Sequence, residues 1–180
     1  MRKVGIAFLA IALAGCSAAA EPEPFPYFEA EGGRIRDGAD LLTPETESQL
    51  TKMLDEAQHQ YGPQMAVVTV TSLHGFSIEE FSLQYANAWG LGHRDRNDGL
   101  MIVVAPNERK VRIEVGLGIE NSFSNEFCRT VIDDHIVPTF RDGDMERGIV
   151  EGVGALVDRM KLHPTVPAND NQPVPTKEAA

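Results

Sequence analysis

Residues 98–120, DGLMIVVAPNERKVRIEVGLGIE, constrain the fold more than any other part of the chain. From Leu100 to Ala105 both alternating sets of side chains are apolar: Leu100, Ile102 and Val104 on one face, Met101, Val103 and Ala105 on the other. Such a strand has no face to offer water, which predicts a central strand covered by helices on both sides. The next run alternates instead, with Val111, Ile113 and Val115 apolar and Lys110, Arg112 and Glu114 charged. It predicts an edge strand with one wet face. Closing the hairpin at Ala105 and Lys110, through the turn Pro106-Asn107-Glu108-Arg109, sets Gly99 beside Gly116 and Asp98 beside Leu117. Two loops, 92–98 and 116–121, then meet at one end of the sheet.

The elements around this hairpin carry their own start and stop signals. Residues 34–37 predict a short opening strand. Thr43 as N-cap, Pro44 at the first helical position and Glu45 in the first turn start a helix that buries Leu50, Leu54, Ala57 and Tyr61 and ends at Gly62-Pro63. Residues 65–71 form a Val-rich internal strand. Ser77 and Glu80 make a capping box, with Phe76 stapled onto Phe81, for a helix burying Ile78, Phe81, Tyr85, Ala88 and Trp89. Beyond the hairpin, Ser124 caps a helix running to Val137 and ended by Pro138, and Asp144 caps a last helix with Ile149, Val153, Leu156, Val157 and Met160 inward. The expected fold is α/β: a three-layer αβα sandwich whose small mixed sheet holds a parallel crossover and a C-terminal antiparallel hairpin edge.

The convergent loops offer the chemistry. Asp95, Asn97, Asp98 and Glu120 supply hard oxygen donors from two loops, a set that suits Ca²⁺ or Mg²⁺ rather than a soft metal. Asn97-Asp98-Gly99 also reads as plain turn chemistry, and for Asn97 that reading comes first. Glu114, two residues from Arg112 on the wet face, reads as half of a surface ion pair. His93 has no nucleophile or carboxylate at fixed spacing and reads as a solvated loop histidine. A second acidic group, Asp37, Asp40, Asp142 and Asp144, belongs to the opposite end of the sheet, where Asp144 as a cap and Asp142-Gly143 as a turn account for most of it.

Trp89-Gly90-Leu91-Gly92, Asn97-Asp98-Gly99 before an apolar strand, the run from Arg112 through Gly116-Leu117-Gly118 to Glu120, and Pro138-Thr139-Phe140-Arg141-Asp142-Gly143-Asp144 together resemble the motif series of the TPM domain family. The resemblance covers roughly 34 to 160. The family includes a thylakoid-lumen protein linked to photosystem repair, a nematode receptor modulator and many bacterial envelope proteins. It implies an αβα sandwich, divalent-cation binding and weak acid phosphatase activity, and it favours Asp98 and Glu120 as ligands. The chain departs from the family pattern at Leu117, where relatives often carry an aromatic, and at Asn125, where many carry an aspartate. The second change removes one charge from the expected site.

The flanks point to the cell envelope. Arg2-Lys3 and the apolar run 4–14 have the form of a secretion signal, too short to span a bilayer as a mature helix. Leu13-Ala14-Gly15-Cys16 resembles a lipoprotein cleavage site with Cys16 as the lipidated residue, and Ser17 resembles the outer-membrane sorting pattern; cleavage after Ala20 is the other reading. The expected organisation is a lipoprotein signal peptide at 1–15, a disordered tether at 16–33, a TPM domain at 34–161 and a disordered tail at 162–180. Membrane attachment then rests on the N-terminal lipid, with the domain facing the periplasm. With Cys16 lipidated, Cys128 has no disulfide partner and reads as a small buried apolar residue.

Charge and missing motifs exclude other functions. The net charge of -11 becomes -13 when Arg2 and Lys3 leave with the signal, and such a surface repels nucleic acid. No G-x-S-x-G, H-E-x-x-H, C-x-x-C or P-loop is present, and Gly116-x-Gly118 lacks the third glycine of a dinucleotide site. Phosphoester hydrolysis by carboxylates needs a cation to offset substrate charge. The sequence shows no evident nucleophile and no basic substrate clamp. Two functions follow: a lipid-anchored binding module for a divalent cation or an envelope protein, supporting envelope assembly or maintenance, or alternatively a weak metal-dependent acid phosphatase.

Overall fold

The computed structural model describes residues 33–165. The expected signal 1–15, Cys16, the tether up to residue 32 and the tail beyond 165 lie outside the described residues.

Four strands form one mixed sheet in chain order: β1 (Ile35–Asp37), β2 (Gln64–Thr69) and β3 (Gly99–Ala105) run parallel, and β4 (Lys110–Val115) runs antiparallel to β3. All seven residues of β3 are buried, as its double-sided apolar pattern requires. The hairpin register pairs Ala105 with Lys110 and Leu100 with Val115, in agreement with the expected closure. Met65, Val67, Leu100, Ile102 and Val104 face one layer, made by α1 (Pro44–Tyr61), the helical segment after β4 and α5 (Met145–Leu162). Ala66, Val68, Met101 and Val103 face α2 (Ile78–Trp89), which forms the other layer. The fold is therefore the αβα sandwich. Each large apolar side chain buried between layers contributes roughly 1.5–3 kcal/mol. Among the described residues no helix is long and apolar enough to cross a membrane.

The helix caps follow the sequence signals. Thr43 Oγ1 accepts from the Thr46 amide (3.3 Å) and donates to Glu146 Oε1 (2.8 Å), joining the starts of α1 and α5. The Ser77–Glu80 capping box is complete, with Ser77 N–H donating to Glu80 Oε2 (3.0 Å) and Glu80 N–H to Ser77 Oγ (3.2 Å). Asp144 Oδ1 accepts from Arg147 N–H (3.0 Å), and all five apolar residues expected inward on α5 are buried. After α5 the chain returns to α1, where Thr165 N–H donates to the Tyr61 carbonyl (2.8 Å).

Three local expectations are corrected. Ala88 is exposed although it shares the helical face of Phe81, because it lies in the last turn of α2, and Ser82 takes an inward place beside Ile78, Phe81 and Tyr85. The wet face of β4 is covered by α2. Ser82 Oγ donates to Glu114 Oε2 (2.7 Å) and accepts from Arg112 Nε (3.0 Å), while Arg112 Nε also donates to Glu114 Oε2 (2.8 Å), leaving the Glu114 side chain only 14% exposed. Glu114 does pair with Arg112, as expected, but as a largely enclosed acceptor beneath α2 rather than on a solvated face. Finally, Pro138 does not end its helix. α3 (Asn125–Val131) passes into a π-helical turn (Ile132–Ile136) and continues as α4 (Val137–Arg141). In an α-helix the Pro138 ring would crowd the Asp134 carbonyl; the widened turn, in which Val137 N–H donates to Ile132 O, makes room for it.

The Arg112–Glu114–Ser82 group yields a direct test. Arg112→Ala withdraws donors from an enclosed carboxylate and is expected to cost about 1–3 kcal/mol in urea unfolding. Lys161→Ala, which removes an exposed partner of Asp158, should leave the unfolding midpoint nearly unchanged. Equal small effects would mean that the β4 face is solvated after all.

Candidate functional site

The two loops meet where the hairpin register sends them, at the amino ends of the parallel strands. Gly118 N–H donates to Asn97 O (2.9 Å) and Gly116 N–H to Gly99 O (2.7 Å). Glycine is required for this approach: a Cβ on Gly118 would lie 1.7 Å from Arg96 O, and one on Gly116 2.3 Å from Asn97 O. The 92–98 loop is also tied to β2. Gln64 Oε1 accepts from Gly92 N–H (2.9 Å), and Gln64 N–H donates to Asp98 O (3.1 Å).

Asp98 is the centre of this arrangement, with its side chain 1% exposed. Oδ1 accepts from the His93 amide (2.8 Å) and lies 2.9 Å from His93 Nδ1, while Oδ2 accepts from Arg96 Nε (2.8 Å). His93 Nδ1 is also 2.7 Å from Arg96 Nη2, so one nitrogen faces both partners. A proton on Nδ1 serves Asp98; a lone pair there accepts from Arg96. His93 is therefore a half-buried partner of Asp98 rather than a solvated histidine near Asp95. Burial pushes the Asp98 carboxyl up, but the His93 amide, the Arg96 guanidinium and the His93 ring outweigh it and hold the group below the ordinary carboxylate range.

The other candidates lie around this centre, not within it. Asp95 and Glu120 are exposed, and Asn97 is exposed in the left-handed region at φ 48, a conformation that asparagine tolerates in turns. Among the described residues no three His, Cys, Asp or Glu side chains come together as a metal cradle. Both Asp98 oxygens already face internal donors, Oδ1 the His93 amide and Oδ2 the Arg96 guanidinium. The donor set does not fit a divalent ion in this arrangement. The loops do display a side chain outward: Leu117 is 72% exposed. Elsewhere, burial pushes the Cys128 thiol up to about 11, which keeps it protonated and unreactive at neutral pH.

The second acidic group sits at the other end of the sheet, as expected. Asp37 closes β1, accepting from the Leu42 amide (2.8 Å) and from the Thr69 hydroxyl, and Arg147 draws Asp142 (3.7 Å) and Asp144 (3.5 Å) toward itself. A basic group that sequence reading missed lies at this end too. Arg109 and Lys110 of the hairpin turn and Arg141 at the end of α4 line one cavity. Thirty residues separate the two contributions, and no local pattern links them.

The lowered Asp98 pKa carries a sign that can be tested. Its folded value lies below the unfolded one, so the stabilisation is complete above the unfolded value of about 3.9 and is lost as pH falls through the folded value. Asp98→Asn should cost about 2–4 kcal/mol at pH 7 and flatten the loss of stability below about pH 4. Denaturation across pH 2–7 measures both; an acid limb unchanged in Asp98→Asn would remove Asp98 from the account.

The comparisons with known proteins agree with this architecture. The TPM domain profile matches residues 35–159. Among solved structures, the N-terminal domain of a protein from P. gingivalis is similar at 31% sequence identity and a TM-score of 0.66, over 71% of this chain and 81% of that one. The BA42 protein from the psychrophilic bacterium Bizionia argentinensis is similar in fold at 19% identity and a TM-score of 0.62, over 74% and 92%. So is the N-terminal domain of a Corynebacterium glutamicum protein, at 15% identity and 0.56, over 78% and 84%. No curated protein matches. With the family profile spanning the whole sheet and both helical layers, the chain belongs to the TPM domain family.

Proposed function

We propose that this TPM domain is a binding module of the bacterial envelope, held at the membrane by a lipid on Cys16 and docking a partner protein through its convergent loops. One observation carries the reading: Leu117 stands 72% exposed on a loop that Gly116, Gly118 and the buried Asp98 group hold in place. An exposed leucine on a floppy loop would lose entropy when bound; on a fixed loop that cost is already met by folding. Asp95 and Glu120 are exposed on the same pair of loops. The matching partner presents an apolar pocket rimmed by basic side chains.

The reading also accounts for what Asp98 does. Its carboxylate already accepts from His93 and Arg96, so its work is to fix the loop. The secretion signal, lipid and periplasmic location rest on the sequence at 1–20.

A photoreactive amino acid at position 117 should give a discrete cross-linked envelope protein in cells, and Glu120→Lys should weaken that adduct severalfold. Cys16→Ser should move the protein from the membrane to the soluble fraction. Hydrolysis of an aryl phosphate that requires Ca²⁺ or Mg²⁺ and vanishes in Asp98→Ala while the fold survives would overturn the binding-module reading in favour of a phosphatase.

A further inference from the structure

At the end of the sheet opposite Asp98, the β3–β4 turn and the α4–α5 corner enclose a cavity of about 590 Å³. Its floor includes Val111, Phe140 and Met145, and Arg109, Lys110 and Arg141 stand around it. Among the described residues no carboxylate lines it. In a chain of net charge -11 that is an uneven distribution. Of the carboxylates nearby, Asp142 (3.7 Å), Asp144 (3.5 Å) and Glu151 (3.8 Å) face Arg147 in exposed ion pairs, and Glu108 Oε1 accepts from the Leu73 amide (2.8 Å) while its Oε2 is buried without a hydrogen-bond partner among the described residues. Among the described residues Arg109, Lys110 and Arg141 make no ion pair and no side-chain hydrogen bond.

Two further observations point to a ligand. Arg109 lies in the left-handed region at φ 54, at a turn position where glycine or asparagine would rest without strain. A bulky cation held there against local preference is the kind of outlier that marks function. The cavity also opens at the carboxyl end of β3, between the hairpin turn and the α4–α5 corner, so that residues from two distant segments surround it.

We propose that this cavity binds a small organic anion with a carboxylate or phosphate head and a short apolar arm. The head takes charge-assisted hydrogen bonds from Arg109, Lys110 and Arg141, whose guanidinium forks suit either oxyanion. The arm packs on Val111, Phe140 and Met145. The site is separate from the Asp98 loops and does not depend on the docking function proposed for them.

The test is a titration of the full chain, followed by amide NMR in about 0.15 M salt, with phenyl phosphate, phenylacetate and inorganic phosphate as probes. Saturable shifts confined to 104–111 and 137–145 are expected, with inorganic phosphate severalfold weaker than phenyl phosphate because it lacks the arm. Comparing phenyl phosphate with phenylacetate identifies the preferred head. Lys110→Ala combined with Arg141→Ala should weaken binding about tenfold or more. Arg109→Gly should also weaken it while leaving the thermal midpoint unchanged or higher, because glycine suits the left-handed turn. No saturable shift up to about 10 mM of any probe, or binding unaltered by the double substitution, would overturn the proposal.

Discussion

The burial of β3 on both faces is the constraint on which the rest of this molecule depends. A seven-residue strand with no polar side chain needs a strand on each edge and a helical layer on each face, and the chain supplies them in order. The antiparallel return of β4 follows from the short turn 106–109, which reaches only the adjacent position. That return brings Gly116 back to Gly99 and so decides where the two loops meet. The site geometry is therefore a consequence of the core strand.

Burying Asp98 follows from the same closure. Once Gly118 and Gly116 seat against the 96–98 backbone, water is excluded from the Asp98 carboxylate, and an ionised group there requires internal donors. His93 and Arg96, from its own loop, supply them. Because those donors come from residues two and five positions earlier, the 92–98 loop closes on itself before it meets a partner. The outcome is a rigid surface built from a short segment.

What was legible in the sequence was local or periodic. The hairpin register, the Thr43, Ser77 and Asp144 caps and the inward face of α5 each rest on residues within a few positions of one another. The convergence of the 92–98 and 116–121 loops was legible as well, because a hairpin is the shortest route by which distant residues meet. What was not legible needed a third element. Glu114 looked wet because the alternation of β4 says nothing about α2 lying over it, and only Ser82, a polar residue on an apolar stripe, hinted at that contact. Pro138 looked like a stop because the rule assumes α-helical geometry, which the π-turn relaxes. His93 and Asp98, five residues apart, offered no helical or strand period that would join them. The Arg109–Lys110–Arg141 group joins two segments through packing alone.

The two ends of the sheet show opposite solutions to charge, and the strand between them keeps the solutions independent. At the amino end a carboxylate is enclosed and satisfied; at the carboxyl end three cations stand without acidic partners among the described residues. Six steps along β3 at about 3.3 Å each separate the ends by about 20 Å, more than twice the Debye length of about 8 Å at physiological salt. A charge change at one end is therefore largely screened at the other. Mechanical coupling would have to pass along β3, whose side chains are packed on both faces. Protonating Asp98 then loosens the convergent loops without altering how an anion meets Arg109, and the molecule can be treated as one rigid sheet carrying two separable surfaces.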